Sequence, residues 1–125
     1  MKKTGILAII VLLVLTLFPM SVMAEGDEFF ASGESGIKFK AIDLGFEQVV
    51  GLSEDGRVYA WGNNDYGQCD VPEGLTGVVE ITAGGGHVVA LKGDGGIVAW
   101  GRNDYGQCDV PEGLTSVIKI TTGST

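Results

Sequence analysis

Residues 64–76 read NDYGQCDVPEGLT, and residues 103–115 read NDYGQCDVPEGLT again, without a gap or a mismatch. Working outward from that string, residues 38–76 superpose on 77–115 at a spacing of 39, with 23 of the 39 positions identical. Trp61 falls on Trp100, Gly67 on Gly106, Cys69 on Cys108 and Pro72 on Pro111. A third copy begins at Ser116 and runs through residues 116–125. A period near 40 residues marks a supersecondary unit that cannot bury its own apolar face and stacks on like neighbours to do so.

Within one unit the apolar runs are short and separated by turn chemistry. Val78 to Ala83 is β-branched and ends at Gly84-Gly85-Gly86; His87 to Lys92 follows, then Asp94-Gly95, then Ile97 to Gly101. The first unit has Glu54-Asp55-Gly56 between Gln48 to Ser53 and Arg57 to Gly62. An Asp-Gly between two apolar runs predicts a hairpin, because glycine accepts the positive φ that the tight turn requires. The spacing predicts a fourth strand over Gln68 to Val71, ended by Pro72-Glu73-Gly74. Val88-Val89-Ala90-Leu91 does not alternate, so this strand should be covered on both faces, as in a sheet between two like sheets. The predicted fold is all-β: β-propeller blades of four short antiparallel strands, two full blades plus the start of a third.

The wording of the unit carries a resemblance. Ile81-Thr82-Ala83-Gly84-Gly85-Gly86-His87, Val89-Ala90-Leu91, Asp94-Gly95, Val98-Ala99-Trp100-Gly101, Asn103-Asp104-Tyr105-Gly106-Gln107 and Val110-Pro111 resemble the repeat of the regulator of chromosome condensation family. They look nearest to its short-bladed bacterial branch, which includes a propeller-type beta-lactamase inhibitor. The resemblance covers residues 38 to 125. It implies a seven-bladed propeller that binds other proteins through loops on one face. The first unit departs from the pattern, with Phe46-Glu47-Gln48 where the second has Gly85-Gly86-His87. Such divergence is expected of a terminal blade. A seven-bladed ring at this period needs about 270 residues, so the sequence reads as a truncated product or fragment of a seven-bladed propeller. Assembly of several short chains into one ring is the other option.

The N-terminal residues read as a delivery signal. Lys2 and Lys3 form a positive start, Ile6 to Phe18 an apolar run of 13 residues, and Val22-Met23-Ala24 a cleavage site, giving a signal peptide over residues 1–24. The apolar run is shorter than the roughly 20 residues of a spanning helix, which favours cleavage over an anchor. Residues 25–37, mixing acids, Gly and Ser, read as a flexible lead-in segment. The expected location is secreted or at the cell surface. Removing residues 1–24 takes away two lysines and no acid, moving the formal charge from −8 to −10. A chain this acidic repels nucleic acid and anionic lipid.

Residue types that could carry chemistry recur with the period, so each is first a packing or turn element. Cys69 and Cys108 invite a disulfide in an exported chain. As equivalents on sheets about 10 Å apart they lie beyond its Cα reach of about 7 Å, which favours a small buried thiol in each blade. His87 is the single histidine; with no nucleophile nearby and no second metal-type ligand, it reads as structural. Trp61 and Trp100 read as inter-blade packing, with a sugar-stacking or protein-binding surface as the alternative. Asp65, Asp70, Glu73 and their copies Asp104, Asp109, Glu112 match no calcium-loop order and single out no hydrolytic pair. Gly84-Gly85-Gly86 lacks the lysine and helix of a phosphate loop. No cofactor, metal or catalytic group is expected.

The sequence thus predicts a non-enzymatic module for protein recognition. The candidate contacts are Tyr66 and Tyr105, with Asn64, Asn103, Asp65 and Asp104 beside them. The alternatives are a carbohydrate or cell-wall module using the same tyrosines, and a secreted inhibitor of the beta-lactamase-inhibitor type, which only the resemblance suggests. No nucleic-acid or membrane partner is expected after signal cleavage; a homo-oligomer follows if the chain is complete.

Overall fold

Short apolar runs rich in valine and bounded by glycine turns become strands here. The structure is a computed structural model that describes residues 22–25, 28–31 and 36–124. Eight strands are present among them: β1 (Val22–Glu25), β2 (Glu28–Ala31), β3 (Phe39–Leu44), β4 (Gln48–Ser53), β5 (Val58–Gly62), β6 (Val78–Ala83), β7 (His87–Lys92) and β8 (Ile97–Gly101). The chain divides into two compact units, Met1–Phe39 and Lys40–Thr125. In the first, β1 and β2 pair antiparallel from Val22 opposite Ala31 to Glu25 opposite Glu28. This hairpin crosses the boundary between the expected signal peptide and lead-in segment; residues 1–21 of the signal lie outside the described residues.

The second unit holds two three-stranded antiparallel sheets, ordered β3-β4-β5 and β6-β7-β8. Their registers repeat at the sequence period, with Gln48 opposite Gly62 and His87 opposite Gly101. Each sheet turns at an Asp-Gly. Gly56 N–H donates to Ser53 O (3.0 Å) and Ser53 N–H to Arg57 O (2.9 Å), while Gly95 N–H and Lys92 N–H do the same in the second sheet. Gly56 and Gly95 take φ of 81° and 83°, the left-handed residue that closes a three-residue hairpin loop. These turns also seat the start of the next unit. Val78 N–H donates to Gly56 O (3.1 Å) and Val117 N–H to Gly95 O (3.4 Å).

The core lies between the sheets. Val50, Leu52 and Val58 of the first meet Val78, Ile81, Val88, Ala90 and Trp100 of the second, with Ala60, Val71, Leu75, Ala83 and Val98 packed around them. All six residues of β4 are buried, the polar Gln48 and Ser53 at its ends included. At about 1.5–3 kcal/mol for each fully buried aliphatic side chain, this shared cluster stabilises the pair of sheets as one body. Buried polar ties cross the same interface as well; in one of them the Trp100 indole N–H donates to the Gln68 carbonyl at 3.0 Å.

The fourth strand is not formed. Cys69 N–H donates to the Asn64 side chain, Asp70 N–H to Gly67 O and Val71 N–H to Cys69 O. The donors a ladder would need are taken locally, so residues 68–71 fold as a turn and each blade has three strands.

Candidate functional site

Both sheets place the loop before their middle strand and the loop after their last strand at one end. The Asn63 N–H donates to Glu47 O (2.7 Å) and the Arg102 N–H to Gly86 O (2.8 Å), which ties the two loops together in each sheet. The hairpin turns at Asp55-Gly56 and Asp94-Gly95 lie at the opposite end.

The NDYGQCD loop builds itself. Asn64 Oδ1 accepts from Cys69 N–H (2.8 Å) while its Nδ2 donates to Asp70 (2.9 Å). Asn103 repeats both bonds at 2.8 Å to Cys108 N–H and Asp109. The Tyr66 N–H donates to Gln68 Oε1 (2.9 Å), and the Tyr105 N–H to Gln107 Oε1 (2.8 Å). Gly67 and Gly106, at φ of 73° and 74°, let the chain reverse between them. The result is a pair of rigid brackets, each carrying one tyrosine outward. Tyr66 is 49% exposed and Tyr105 83%.

Arg102 joins the brackets. Its guanidinium lies over the Tyr66 ring at 4.9 Å from the centroid and near the Tyr105 ring at 5.6 Å. Its Nε donates to Asp104 at 2.7 Å. That hydrogen bond to Asp104, foremost, raises the guanidinium pKa further above its ordinary value. In the first loop Asn63 stands in its place. The Asn63 Oδ1 accepts from Gln68 Nε2 (2.9 Å) and Asp65 N–H (3.1 Å), while its Nδ2 donates to Asp65 (3.0 Å).

The other residues singled out by the sequence serve the stack. Gln48 and His87 occupy the same place in successive sheets, at 2% and 5% exposure. Gln48 Nε2 donates to the His87 carbonyl at 3.2 Å, from one sheet to the next. The His87 ring lies on Gly84, where an added Cβ would come within 2.3 Å of its Cε1. Burial lowers the His87 pKa and so favours the neutral ring, and among the described residues its Nδ1 has no hydrogen-bond partner. Cys69 and Cys108 are free thiols, donating to Asn63 O and Arg102 O at 3.2 Å each. Burial first, and the neighbouring Asp70 or Asp109 second, raises both thiol pKa values. Trp61 and Trp100 are buried at 6% and 8% exposure. Among the described residues no group of three His, Cys, Asp or Glu converges on a possible metal position.

Four residues at this end escaped the sequence reading. Arg102 was masked because the matching residue is Asn63, although that break in the repeat is itself a signal. Gln68 and Gln107 were hidden inside the repeated string. Phe46, 73% exposed, stood out only as a departure from the pattern.

Two like sheets stacked through one core, with paired loops at one end, define a repeat protein of the β-propeller kind. Residues 39–68 and 78–107 each match the family model for the regulator of chromosome condensation (RCC1) repeat. The chain therefore carries two repeats of that family. It is similar to Prp20p of Saccharomyces cerevisiae, the yeast RCC1, with 30% identity and a TM-score of 0.56 over 66% of this chain and 22% of that one. It is also similar to the ectodomain of the Physcomitrella patens receptor kinase CR4, with 27% identity and a TM-score of 0.54 over 76% of this chain and 27% of that one. In sequence it is 43% identical, over 37 residues, to the X-linked retinitis pigmentosa GTPase regulator homolog of Caenorhabditis elegans, covering 30% of this chain and 3% of that protein. The chain spans about a quarter or less of the length of each.

Proposed function

We propose that this chain is an exported, non-enzymatic module that recognises another protein through the loop end of its sheets. The observation that carries the reading is the pair of identical brackets holding Tyr66 and Tyr105 outward with Arg102 between them. A rigid exposed aromatic loses little conformational freedom on binding, and tyrosine and arginine are the side chains that dominate protein interfaces. Because Asn64, Gln68 and Asp70 bond inside the loop, a partner meets the tyrosines, Arg102 and the outer carboxylates. The yeast neighbours support a protein partner, since the solved structures describe Prp20p with binding properties toward Gsp1p and histones, and Kap60 bound to it. Export rests on the Lys2-Lys3 start and the apolar run that follows.

The test is capture from the producing organism's secreted and surface proteins. Wild-type protein, a Tyr66→Ala/Tyr105→Ala variant and an Arg102→Ala variant serve as bait, with circular dichroism confirming that all three fold. A protein retained by wild type and lost on the tyrosine variant supports the reading. Identical protein sets on all baits sink it.

A further inference from the structure

The surface that stacks the two sheets occurs twice. The register of the second sheet sets Val88 opposite Trp100 on one face, and Val89 opposite Ala99 and Leu91 opposite Ile97 on the other. The first of these faces meets the first sheet. Its Val88, Ala90 and Trp100 share a core with Val50 and Val58, and the Trp100 indole ends on the Gln68 carbonyl. The other face repeats the surface that receives them. Val89, Ile97, Ala99, Val110, Leu114 and Ile120 line an open groove of about 400 Å³. One repeat earlier the same places hold Val50, Val58, Ala60, Val71, Leu75 and Ile81, all of them in the core or packed against it. In the groove Val110 and Leu114 are 37% and 44% exposed. The Gln107 carbonyl, counterpart of the indole's acceptor, receives no hydrogen bond among the described residues.

A strand edge lies beside the groove. Residues 117–122 are the counterparts of β6 but form no strand. They stand in the matching place: Val117 N–H donates to Gly95 O as Val78 N–H does to Gly56 O. Lys119 pairs with Glu80 at 2.5 Å, and Thr122 Oγ1 lies 2.9 Å from Thr82 Oγ1. β6 is a strand because β7 pairs with it. From residue 118 to 123 no backbone hydrogen bond is made among the described residues, so a row of backbone donors and acceptors borders an apolar groove. An incoming β-strand uses both at once.

We propose that this groove and the edge beside it take a tryptophan-bearing β-hairpin of another protein as the next sheet of the stack. The occupant follows from the interface already formed, because the groove repeats the residues on which Val88, Ala90 and Trp100 of β7 and β8 are seated. One strand of the incoming hairpin pairs with residues 118–122 as β7 pairs with β6. Its small apolar side chains cover Val89 and Ala99, and its indole N–H donates to the Gln107 carbonyl. A second copy of the chain cannot supply the hairpin: its own Val88, Ala90 and Trp100, and the matching Val49 and Trp61 of its first sheet, are buried. This is a second surface, separate from the tyrosine brackets of the loop end.

The probe is a synthetic hairpin with the sequence of residues 86–102, closed by linking its ends because an isolated hairpin is only marginally stable. It is titrated into the full chain, and amide NMR shifts are read on the chain. The account expects saturable shifts at Val89, Ile97, Gln107 and residues 118–122. Replacing the probe's tryptophan by 1-methyltryptophan removes only the indole donor and should weaken binding about tenfold, the loss of one hydrogen bond with its acceptor left buried. Leu114→Asp should abolish saturation. Of Ile120→Pro and Thr121→Pro, at least one should weaken binding about tenfold or more, since neighbouring residues of a strand point their N–H groups to opposite sides. Circular dichroism checks that these variants fold, and the methylated probe leaves the chain untouched. No saturation up to about 1 mM probe, shifts centred on Leu44 and Phe46, or binding indifferent to the methyl group and to both prolines overturns the proposal. A dimer of the chain alone in sedimentation, dispersed by Leu114→Asp, gives the groove to a second copy and overturns it as well. Tyr66→Ala/Tyr105→Ala should bind the probe as wild type does; weaker binding there puts the probe at the loop end and refutes a separate surface.

Discussion

Replacing Gln68 by alanine should cost about 3 kcal/mol of folding stability, and the same change at Gln107 about 1 kcal/mol, although the two residues sit in identical strings. Gln68 is 1% exposed, accepts from the Tyr66 N–H and donates to Asn63 Oδ1. Losing two hydrogen bonds at about 1 kcal/mol each, and leaving the buried end of the bracket without a partner for about another 1 kcal/mol, gives the larger figure. Its backbone carbonyl also holds the Trp100 indole, so collapse of the bracket loosens the contact between sheets. Gln107 makes the equivalent bond to the Tyr105 N–H in a more open loop, where Arg102 offers no acceptor like Asn63 Oδ1 and water replaces what is lost. For a domain of this size a difference of about 2 kcal/mol is about 10 °C in Tm. Thermal and urea unfolding followed by tryptophan fluorescence read it directly. Equal losses at the two positions, or a loss below about 1 kcal/mol at Gln68, would refute the claim that the bracket is built from within and tied to the next sheet.

Other consequences follow from single contacts. Gly84→Ala should destabilise by about 1–3 kcal/mol because the new Cβ meets the His87 ring, and most of that loss should disappear in a His87→Ala background, a double-mutant cycle by urea unfolding. Because burial lowers the folded pKa of His87, the unfolded chain binds a proton more readily near pH 6.5. Stability should therefore decline as pH falls below about 6.5, and less so in His87→Gln, the residue the first sheet uses; Tm against pH for the two proteins checks this. Cys69 and Cys108, with raised pKa values, should react with a thiol reagent more slowly at pH 8 than in the unfolded chain, as timed colorimetric labelling would show. Leu52→Ala, at a 1% exposed core position shared by the sheets, should cost about 2–5 kcal/mol by the same unfolding assay.

Much of the architecture was legible because glycine and the apolar runs speak locally. Asp55-Gly56 and Asp94-Gly95 named their hairpins, and the non-alternating run through Val88 and Leu91 announced a strand that is buried from His87 to Leu91 except at the half-buried Val89. The fourth strand misled because Gln68 to Val71 has the composition of a strand while Asn64 and Gly67 take its backbone donors; a competing local bond is invisible to periodicity. The β1–β2 hairpin had no repeat partner to mark it. At the candidate site, Tyr66 and Tyr105 could be read from the repeated string. The Arg102 stack could not, since it joins residues 36 positions apart through the register of two sheets. The general lesson of Asn63, Arg102 and Phe46 is that in a repeat protein the side chains that break the period deserve the closest reading once the repeated ones are understood as scaffold.

The account's central claim is that recognition happens at one end of the stacked sheets. Photo-crosslinking tests it most directly, with benzoylphenylalanine placed in turn at Phe46, Tyr66 and Tyr105 on the loop end and at Glu54 on the opposite hairpin turn, in the organism that makes the protein. The account predicts one protein adduct shared by the three loop-end positions and absent from Glu54. Adducts from Glu54 as strong as those from the loop end, or none from Tyr66 and Tyr105, would contradict it.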